Sequence, residues 1–169
     1  MSGAQVVTRA SQRAGEQRVF LVVVDETDEM RNALRYACRR AQKTNGRVAL
    51  LYVIEPVEFQ HWLGVGRVME EEARAEAEQR VQALAAEVFA QTGAVPTVHI
   101  REGSRAEQLV QLLREDLTVS LLVLGTATSS AADPGPLVTY LLANLGRNIL
   151  LPVTLVPGEL TTEEIDALS

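Results

Sequence analysis

Short runs of consecutive apolar residues recur along the chain, separated by longer segments in which apolar and polar residues are mixed. A continuous run rich in β-branched residues is typical of a strand covered on both faces of a parallel sheet. Five such runs predict strands at residues 19–24, 48–54, 95–100, 119–124 and 153–156. The third run contains Pro96, which has no N–H to donate to a sheet, so this strand is predicted at an edge.

Between the runs, apolar residues recur every three or four positions, which is the spacing of one buried face of a helix. This spacing predicts a helix of about four turns after the first strand. Further helices are predicted at residues 70–90, after residue 104 and at 136–145.

Capping residues mark several of the predicted helix ends. Thr27 or Asp28 is a candidate N-cap of the first helix, and Asn45 with the following glycine is its predicted stop. Ser104 and Glu107 have the spacing of a capping box.

Strands that alternate with helices of this length predict an α/β fold, in which an open parallel sheet carries helices on both faces. The crossovers between the strands are expected to be right-handed. An N-terminal extension of residues 1–17 and a C-terminal tail of residues 158–169 fall outside the pattern. Within the tail, residues 161–168 fit one capped helix.

The composition is that of one globular domain, with 169 residues, of which 47% are hydrophobic and 22% charged. A net charge of −6 opposes binding to nucleic acid, which depends on clustered Lys and Arg. No apolar run approaches the ~20 residues that span a bilayer, and the N-terminal residues lack the apolar stretch of a secretory signal. We therefore expect a cytoplasmic protein with neither a nucleic-acid nor a membrane partner.

Few residues are suited to metal binding or catalysis. One cysteine, Cys38, and two histidines, His61 and His99, show no zinc-site spacing, so no metal site is predicted. The sequence has no G-x-S-x-G, Walker A or G-x-G-x-x-G motif. We therefore expect a protein that is not an enzyme, with Cys38 as a core residue on the apolar stripe of the first helix.

Four segments carry a family resemblance in their order and spacing: VFLVVVDETDEMRNALRYACRRAQKTNGRVALLYVIEP, REGSRAEQLVQLLRE, SLLVLGTAT and LLPVTLVPG. Together they resemble a universal stress protein domain across residues 18–157, and the succession of Asp25, Gly103, Gly125 and Pro152 is the most specific part. The resemblance implies a Rossmann-like α/β fold with five parallel strands in the order 3-2-1-4-5. It also implies a homodimer, commonly paired through the last strand, here Val153–Pro157.

The loop after the fourth strand departs from the pattern of the family members that bind nucleotides. Their loop reads G-x2-G-x9-G-S/T, with glycines that let the backbone approach the phosphates. Gly125 matches the first glycine, but Thr128 stands at the second position and Val138 or Thr139 at the third, depending on the direction of counting. Residues 125–146 also contain no Lys, Arg or His. This loop therefore disfavours a bound triphosphate.

If a nucleotide binds, the resemblance implies that Asp25 contacts the ribose and the backbone of Val53 contacts the adenine. The remaining implied contacts are pocket-lining and loop residues, namely Val23, Leu124, Gly125, Thr126, Thr128 and Thr139. Asp25 is open to a second interpretation, as a polar group at the end of a strand near the start of a helix.

Two functions are compatible with the sequence. The first is a non-catalytic, homodimeric stress-response protein that acts through contacts with an unknown protein partner and has no tightly bound ATP. The alternative is a sensor of the same fold that binds ATP or AMP as a cofactor, so that nucleotide occupancy regulates partner binding. Bound adenine, or stabilisation by ATP, would favour the sensor.

Overall fold

Strands and helices alternate along the chain. The computed structural model describes residues 16–56, 65–127, 134–147 and 149–169. The elements are β1 (Val19–Val24), α1 (Asp28–Thr44), β2 (Arg47–Ile54), α2 (Val65–Thr92), β3 (Thr97–Glu102), α3 (Arg105–Glu115), β4 (Val119–Thr126), α4 (Pro136–Asn144), β5 (Val153–Pro157) and α5 (Thr162–Leu168). None of the described helices combines the length and the apolar composition that crossing a bilayer requires.

The strands form one parallel sheet in the order β3-β2-β1-β4-β5, which confirms the predicted order. β1 lies at the centre, where Val22 pairs with Leu50 of β2 and with Val123 of β4. β3 pairs with β2, and β5 pairs with β4. Within the described residues, β3 and β5 are therefore the two edges of the sheet, as expected for β3.

Each face of the sheet is covered by helices, as predicted. On β1, Phe20, Val22 and Val24 pack with buried residues of α1 and α2, whereas Leu21 and Val23 pack with those of α3 and α4. All five side chains are at most 4% exposed. Burial of an apolar side chain of this size contributes roughly 1.5–3 kcal/mol. Burial on both faces explains why the strand sequence is continuously apolar rather than alternating.

Both ends of α1 carry the predicted caps. The Thr27 hydroxyl accepts a hydrogen bond from the Met30 N–H at 3.3 Å. At the other end, Asn45 adopts the left-handed conformation with φ of 51°, and the Gly46 N–H donates to the Ala41 carbonyl at 2.8 Å. These signals are local in sequence, which is why they could be identified without the fold.

Several element boundaries differ from the predicted ones, and the differences at α2 and β3 have a physical explanation. α2 begins at Val65 rather than at residue 70, and its first side chain described as buried is Ala77. Val68 and Met69, which precede Ala77, are 53% and 36% exposed, so the described start of the helix has no buried apolar face. β3 spans Thr97–Glu102 rather than residues 95–100, so Pro96 precedes the strand. In that position its missing N–H costs the sheet no hydrogen bond.

The two capping-box sequences behave differently. Ser104 is the N-cap of α3, but its side chain makes no capping hydrogen bond, so the predicted box is wrong there. Ser104 is exposed, and water can satisfy the same groups. At α5, the Thr161 hydroxyl accepts from the Glu164 N–H at 3.2 Å, and the Glu164 carboxylate accepts from the Thr161 N–H at 2.8 Å. The predicted capped helix in the tail is therefore confirmed.

The C-terminal tail packs on the domain, alongside α1. The Asp166 carboxylate accepts hydrogen bonds from the guanidinium groups of Arg35 and Arg39 at 2.7–2.9 Å. These hydrogen bonds hold the pKa of Asp166 well below its usual range. Ile165 is 1% exposed. α5 thus adds a third helix to the face that α1 and α2 cover.

Candidate functional site

A cleft of about 220 Å³ opens at the carboxyl edge of the sheet, beside the ends of β1 and β2. Open α/β sheets bind ligands at this edge, close to the point where the strand order reverses. That point lies between β1 and β4, next to the cleft. The described residues that line the cleft are Val24, Asp25, Glu26, Tyr52, Val53, Ile54, Glu55, Ala73, Glu76 and Arg105.

Asp25, the predicted ribose contact, lines this cleft and also orients the start of α1. Its Oδ1 accepts hydrogen bonds from the N–H of Thr27 at 2.8 Å and from the Thr27 hydroxyl at 2.5 Å. The same hydroxyl caps α1 by accepting from Met30. The structure therefore gives Asp25 a role at the strand end, whereas its role as a ligand contact stays a prediction.

The predicted adenine-pocket residues lie in one part of the core. Val23, Val53 and Leu124 are each 4% exposed and belong to the apolar cluster on the α3 and α4 face. Val53 also lines the cleft, but Val23 and Leu124 are not among its described lining residues. The structure thus brings Asp25 and Val53 together at the cleft and places the other two in the packed core.

The close approach of α1 to β4 requires a glycine at position 125. A Cβ added to Gly125 would lie 2.2 Å from the carbonyl oxygen of Glu29 and 2.4 Å from its carbonyl carbon. Both are backbone atoms of α1, so relieving the clash would mean shifting the helix. Packing therefore explains this glycine without reference to a phosphate group.

The predicted hydroxyl contacts are distributed over separate elements. Thr126 ends β4, and its carbonyl accepts a hydrogen bond from the Gly158 N–H at 3.1 Å. Thr139 is exposed in the first turns of α4, where its N–H donates to the Gly135 carbonyl at 3.0 Å. Neither residue lines the cleft. Thr128 lies outside the described residues.

Carboxylates outnumber guanidinium groups around the cleft. The charged residues in its described lining are Asp25, Glu26, Glu55, Glu76 and Arg105. Arg80 of α2 pairs with Glu26 and, at 3.3 Å, with Glu76. The hydrogen bond to Glu26 raises the pKa of Arg80 above its ordinary value. With Arg80 included, four carboxylates face two guanidinium groups, so the cleft is acidic.

Arg105 is the cation within the described lining. It begins α3, directly after the turn in which Gly103 has φ of 129°. Its Nη2 lies 3.3 Å from a carboxylate oxygen of Glu55. Its Nε is buried and has no hydrogen-bond partner among the residues that the structure describes. Buried donors are normally paired, so a ligand oxygen placed there would satisfy this group.

Sequence analysis did not identify Tyr52, Glu55, Glu76 or Arg105 as candidate site residues. Glu55 directly follows β2 and Arg105 opens α3, so their positions at the carboxyl edge were open to prediction from the elements. Tyr52 lies within an apolar strand and carries no separate signal. Glu76 belongs to the part of α2 that precedes its first described buried residue, so its approach to β1 depends on the tertiary fold.

No cluster of three or more His, Cys, Asp or Glu side chains in the described ranges is placed to hold a metal ion. Cys38 is 0% exposed, which confirms the predicted core position. Burial raises the pKa of its thiol to about 12. Since the thiolate is the reactive form, this cysteine is suited to packing rather than to chemistry.

Solved structures of low sequence identity share the fold. The universal stress protein UspA from Lactobacillus plantarum matches with a TM-score of 0.67 and 20% identity, over 83% of this chain and 98% of that chain. A universal stress protein in complex with cAMP matches with a TM-score of 0.53 and 20% identity, over 84% and 98% of the two chains. One from Archaeoglobus fulgidus in complex with dAMP has a TM-score of 0.51 and 14% identity, over 83% and 98%.

A search of curated proteins gives no match. By contrast, the sequence model of the universal stress protein family matches residues 17–157. This range begins two residues before β1 and ends with β5, so it includes the whole sheet and the described lining of the cleft, and it stops before α5. The chain therefore belongs to the universal stress protein family.

Proposed function

We propose that this protein is a non-catalytic stress-response protein of the cytoplasm, which works as a homodimer through contacts with other proteins and does not bind ATP tightly. The observation that carries this proposal is the acidic lining of the cleft. A triphosphate bound there would meet carboxylates from β1, β2 and α2, and like charges at short range disfavour binding.

The point between β1 and β4 where the strand order reverses, next to the cleft, offers few groups that would attract phosphates. Gly125 is accounted for by the passage of α1, and residues 125–146 contain no basic side chain. α4 begins at Pro136, which has no N–H, so the helix N-terminus offers an anion one donor fewer than usual.

The outer edge of β5 supports the homodimer. Among the described strands, β5 has a neighbour on one side, and an uncovered apolar edge strand invites pairing with another chain. Exposed leucines lie on α4, on the segment that follows it and on β5, namely Leu142, Leu145, Leu150 and Leu155. Pairing through Val153–Pro157 would cover this edge.

A second candidate function is sensing of an adenine nucleotide, so that occupancy regulates partner binding. It is supported by the cleft beside Asp25 and Val53, by the buried Nε of Arg105, which has no partner in the described part of the chain, and by the relatives solved with cAMP and dAMP. The contacts in this case would be Val23, Asp25, Val53, Leu124, Gly125, Thr126, Thr128 and Thr139. The acidic lining favours AMP over ATP, since AMP brings fewer negative charges.

Purification without added nucleotide separates the two functions. The proposed function predicts that protein denatured after purification releases no adenine chromophore, and that millimolar ATP leaves the melting temperature unchanged. A ligand at a hundred times its dissociation constant stabilises the folded state by about 2.7 kcal/mol, which would be readily measured. Stoichiometric adenine, or such a rise with ATP, would instead establish the sensor.

A further inference from the structure

The edge strand β3 meets the end of α3 through two pairs of side chains. His99 and Arg101 lie beside residues of β2 that belong to the core on the α3 and α4 face, so both side chains are on that face of the sheet. The Arg101 guanidinium pairs with the Glu115 carboxylate at 2.5 Å. The His99 imidazole lies next to Asp116, the C-cap residue of α3.

The first of these pairs is a close ion pair, whereas the second is not yet a hydrogen bond. Nε2 of His99 lies 3.7 Å from Oδ2 of Asp116, which exceeds hydrogen-bond length. This nitrogen is buried and has no hydrogen-bond partner among the residues that the structure describes. Buried polar atoms are normally paired. The missing bond is one that a protonated imidazole could make, because both of its ring nitrogens then carry hydrogen.

Asp116 is held beside His99 by the turn between α3 and β4. Its Oδ1 accepts hydrogen bonds from the Thr118 N–H at 2.8 Å and from the Thr118 hydroxyl at 2.5 Å. Its main-chain N–H donates to the Leu112 carbonyl at 2.7 Å. The carboxylate therefore has a fixed position, with Oδ2 toward a side chain of the type that changes charge between about pH 5 and 8.

The surroundings of His99 favour the uncharged imidazole. Burial lowers the pKa of His99 below its ordinary value, the Asp116 carboxylate raises it in part, and Arg101 lowers it further. The side chains of His99 and Asp116 are each 22% exposed, so neither is fully solvated. From β2, the neighbour in register is the apolar Leu51, which adds no charge. Asp116 thus reduces the cost of protonating His99 without cancelling it.

The neighbouring ion pair keeps its charge through the range in which histidine titrates. Hydrogen bonds from Arg101 and Gln111 hold the pKa of Glu115 below its usual value. Arginine side chains stay protonated in proteins. Among the described groups at the contact of β3 with the end of α3, the change of charge in mild acid therefore falls on His99.

We propose that His99 and Asp116 form an acid-sensitive junction between β3 and the turn that follows α3. At neutral pH the uncharged imidazole packs against the turn and holds β3 in place. In mild acid the imidazole gains a proton, and a charge in this partly buried position weakens the contact, with Asp116 setting the pH at which this happens. Since β3 pairs with β2 alone among the described strands, it can loosen while the rest of the sheet stays intact.

The direction of the effect follows from proton binding. Because the folded state lowers the pKa of His99, the opened state binds the proton first as the pH falls. The stability of the junction is therefore complete above the ordinary histidine range. It is lost as the pH falls through that range toward the lower pKa of the folded state.

In the test, every protein carries His61→Gln, so that His99 is the remaining histidine of the chain. This background is compared with the same chain carrying either His99→Gln, which cannot titrate, or Asp116→Asn. The asparagine oxygen can still accept from Thr118, but the charge that faces His99 is removed. NMR titration of the imidazole measures the pKa of His99. Amide hydrogen exchange, corrected for the intrinsic effect of pH, measures the opening of each strand.

Between about pH 7.5 and 5.5, we expect the protection of the β3 amides to fall at least about fivefold more in the background protein than in His99→Gln. The protection of β1 should change equally in both. The imidazole should titrate below its ordinary pKa of about 6.5, and lower still in Asp116→Asn, because the attraction of the carboxylate is lost.

An imidazole that titrates at or above its ordinary pKa would overturn the proposal. So would β3 protection that responds equally to pH with and without His99, or an unchanged pKa in Asp116→Asn. The imidazole titration is made on a chain in which both junction residues are intact, so it decides the proposal even if a variant fails to fold. No assay here involves nucleotide or dimerisation, so failure would leave the proposed function to its own tests.

Discussion

Position 125 has no room for a side chain, even one as small as a methyl group. Gly125 lies where the first turn of α1 crosses the end of β4, and a Cβ there would approach the Glu29 carbonyl oxygen to 2.2 Å. In this family a glycine after the fourth strand invites interpretation as part of a phosphate loop. The contact with Glu29 shows that packing alone requires it.

Gly125→Ala is therefore expected to destabilise the fold by roughly 1–3 kcal/mol, because α1 must shift to admit the methyl group. Gly66→Ala is the matched control, since no atom of the residues that the structure describes lies within 4 Å of a Cβ at that position. Alanine in a helix costs less than glycine, so the control should be neutral or gain up to about 1 kcal/mol. The measurement is the urea midpoint of each variant. A Gly125→Ala protein as stable as the wild type would refute the packing explanation.

Asp25 shows how far single residues could be interpreted from the sequence. Its place at the carboxyl edge followed from the apolar run before it, and the structure confirms that place. Its hydrogen bonds to Thr27 depend on the conformation of the turn, which composition and spacing do not specify. Both interpretations of Asp25 could thus be listed from sequence, and neither could be ranked.

At the scale of elements, the paired carboxylate of Asp166 contributes to the attachment of α5 to α1. Asp166 accepts hydrogen bonds from Arg35 and Arg39, and these bonds depress its pKa. A depressed carboxyl pKa contributes stability that is present above the unfolded pKa and is lost as the pH falls through the folded pKa. The attachment should therefore persist through the pH range in which an ordinary aspartate becomes protonated.

Asp166→Asn is expected to lower the melting temperature at neutral pH and to expose the α5 amides to exchange. The difference from the wild type should persist down to about pH 4, the ordinary Asp range, and shrink only below it. Glu159→Gln, which removes an exposed carboxylate from the same tail, serves as the control and should change neither quantity. A difference between Asp166→Asn and the wild type that disappears at or above the ordinary Asp range would contradict this account.

Most local signals predicted helix ends correctly, although the one at Ser104 did not, whereas contacts between distant residues were not predicted. The caps of α1 and the capping box at Thr161 lie within a few residues of each other in sequence. The pairing of Arg35 with Asp166 joins positions 131 residues apart, and no spacing rule indicates it. α2 begins earlier than predicted, and Val68 and Met69 in its first turns are exposed rather than buried.

At the scale of the whole molecule, the sheet has two edges, and β5 is the more apolar one. Its central Leu155 is 38% exposed and is paired in register with Leu124 of β4. A homodimer through this strand would join two sheets and cover the leucines around it. Stable interfaces bury on the order of 800 Å² on each partner, and the exposed leucines around β5 would contribute to that area.

Leu155→Arg is expected to convert a wild-type dimer into a monomer, because it places a charge in the centre of the paired edge. Leu117→Arg is the control, since Leu117 is 44% exposed at the turn between α3 and β4. Sedimentation equilibrium measures both masses. A monomeric wild type, or a Leu155→Arg protein that remains dimeric, would contradict pairing through β5.

The candidate site is assembled from several elements, which limited its prediction. The end of β1 supplies Asp25, β2 supplies Val53, and both were identified from the sequence. α2 contributes Glu76, and the start of α3 contributes Arg105. The net charge of −6 indicated an acidic protein, but it could not show that carboxylates from separate elements converge on one cleft.

The central claim is that this acidic cleft does not bind ATP tightly, and calorimetric titration tests it most directly. Nucleotide-stripped protein is titrated with ATP and with AMP, in the presence and absence of magnesium. The account predicts no saturable heat with ATP, corresponding to a dissociation constant weaker than about 1 mM. Saturable, one-to-one binding of ATP with a dissociation constant of about 10 μM or lower would contradict it.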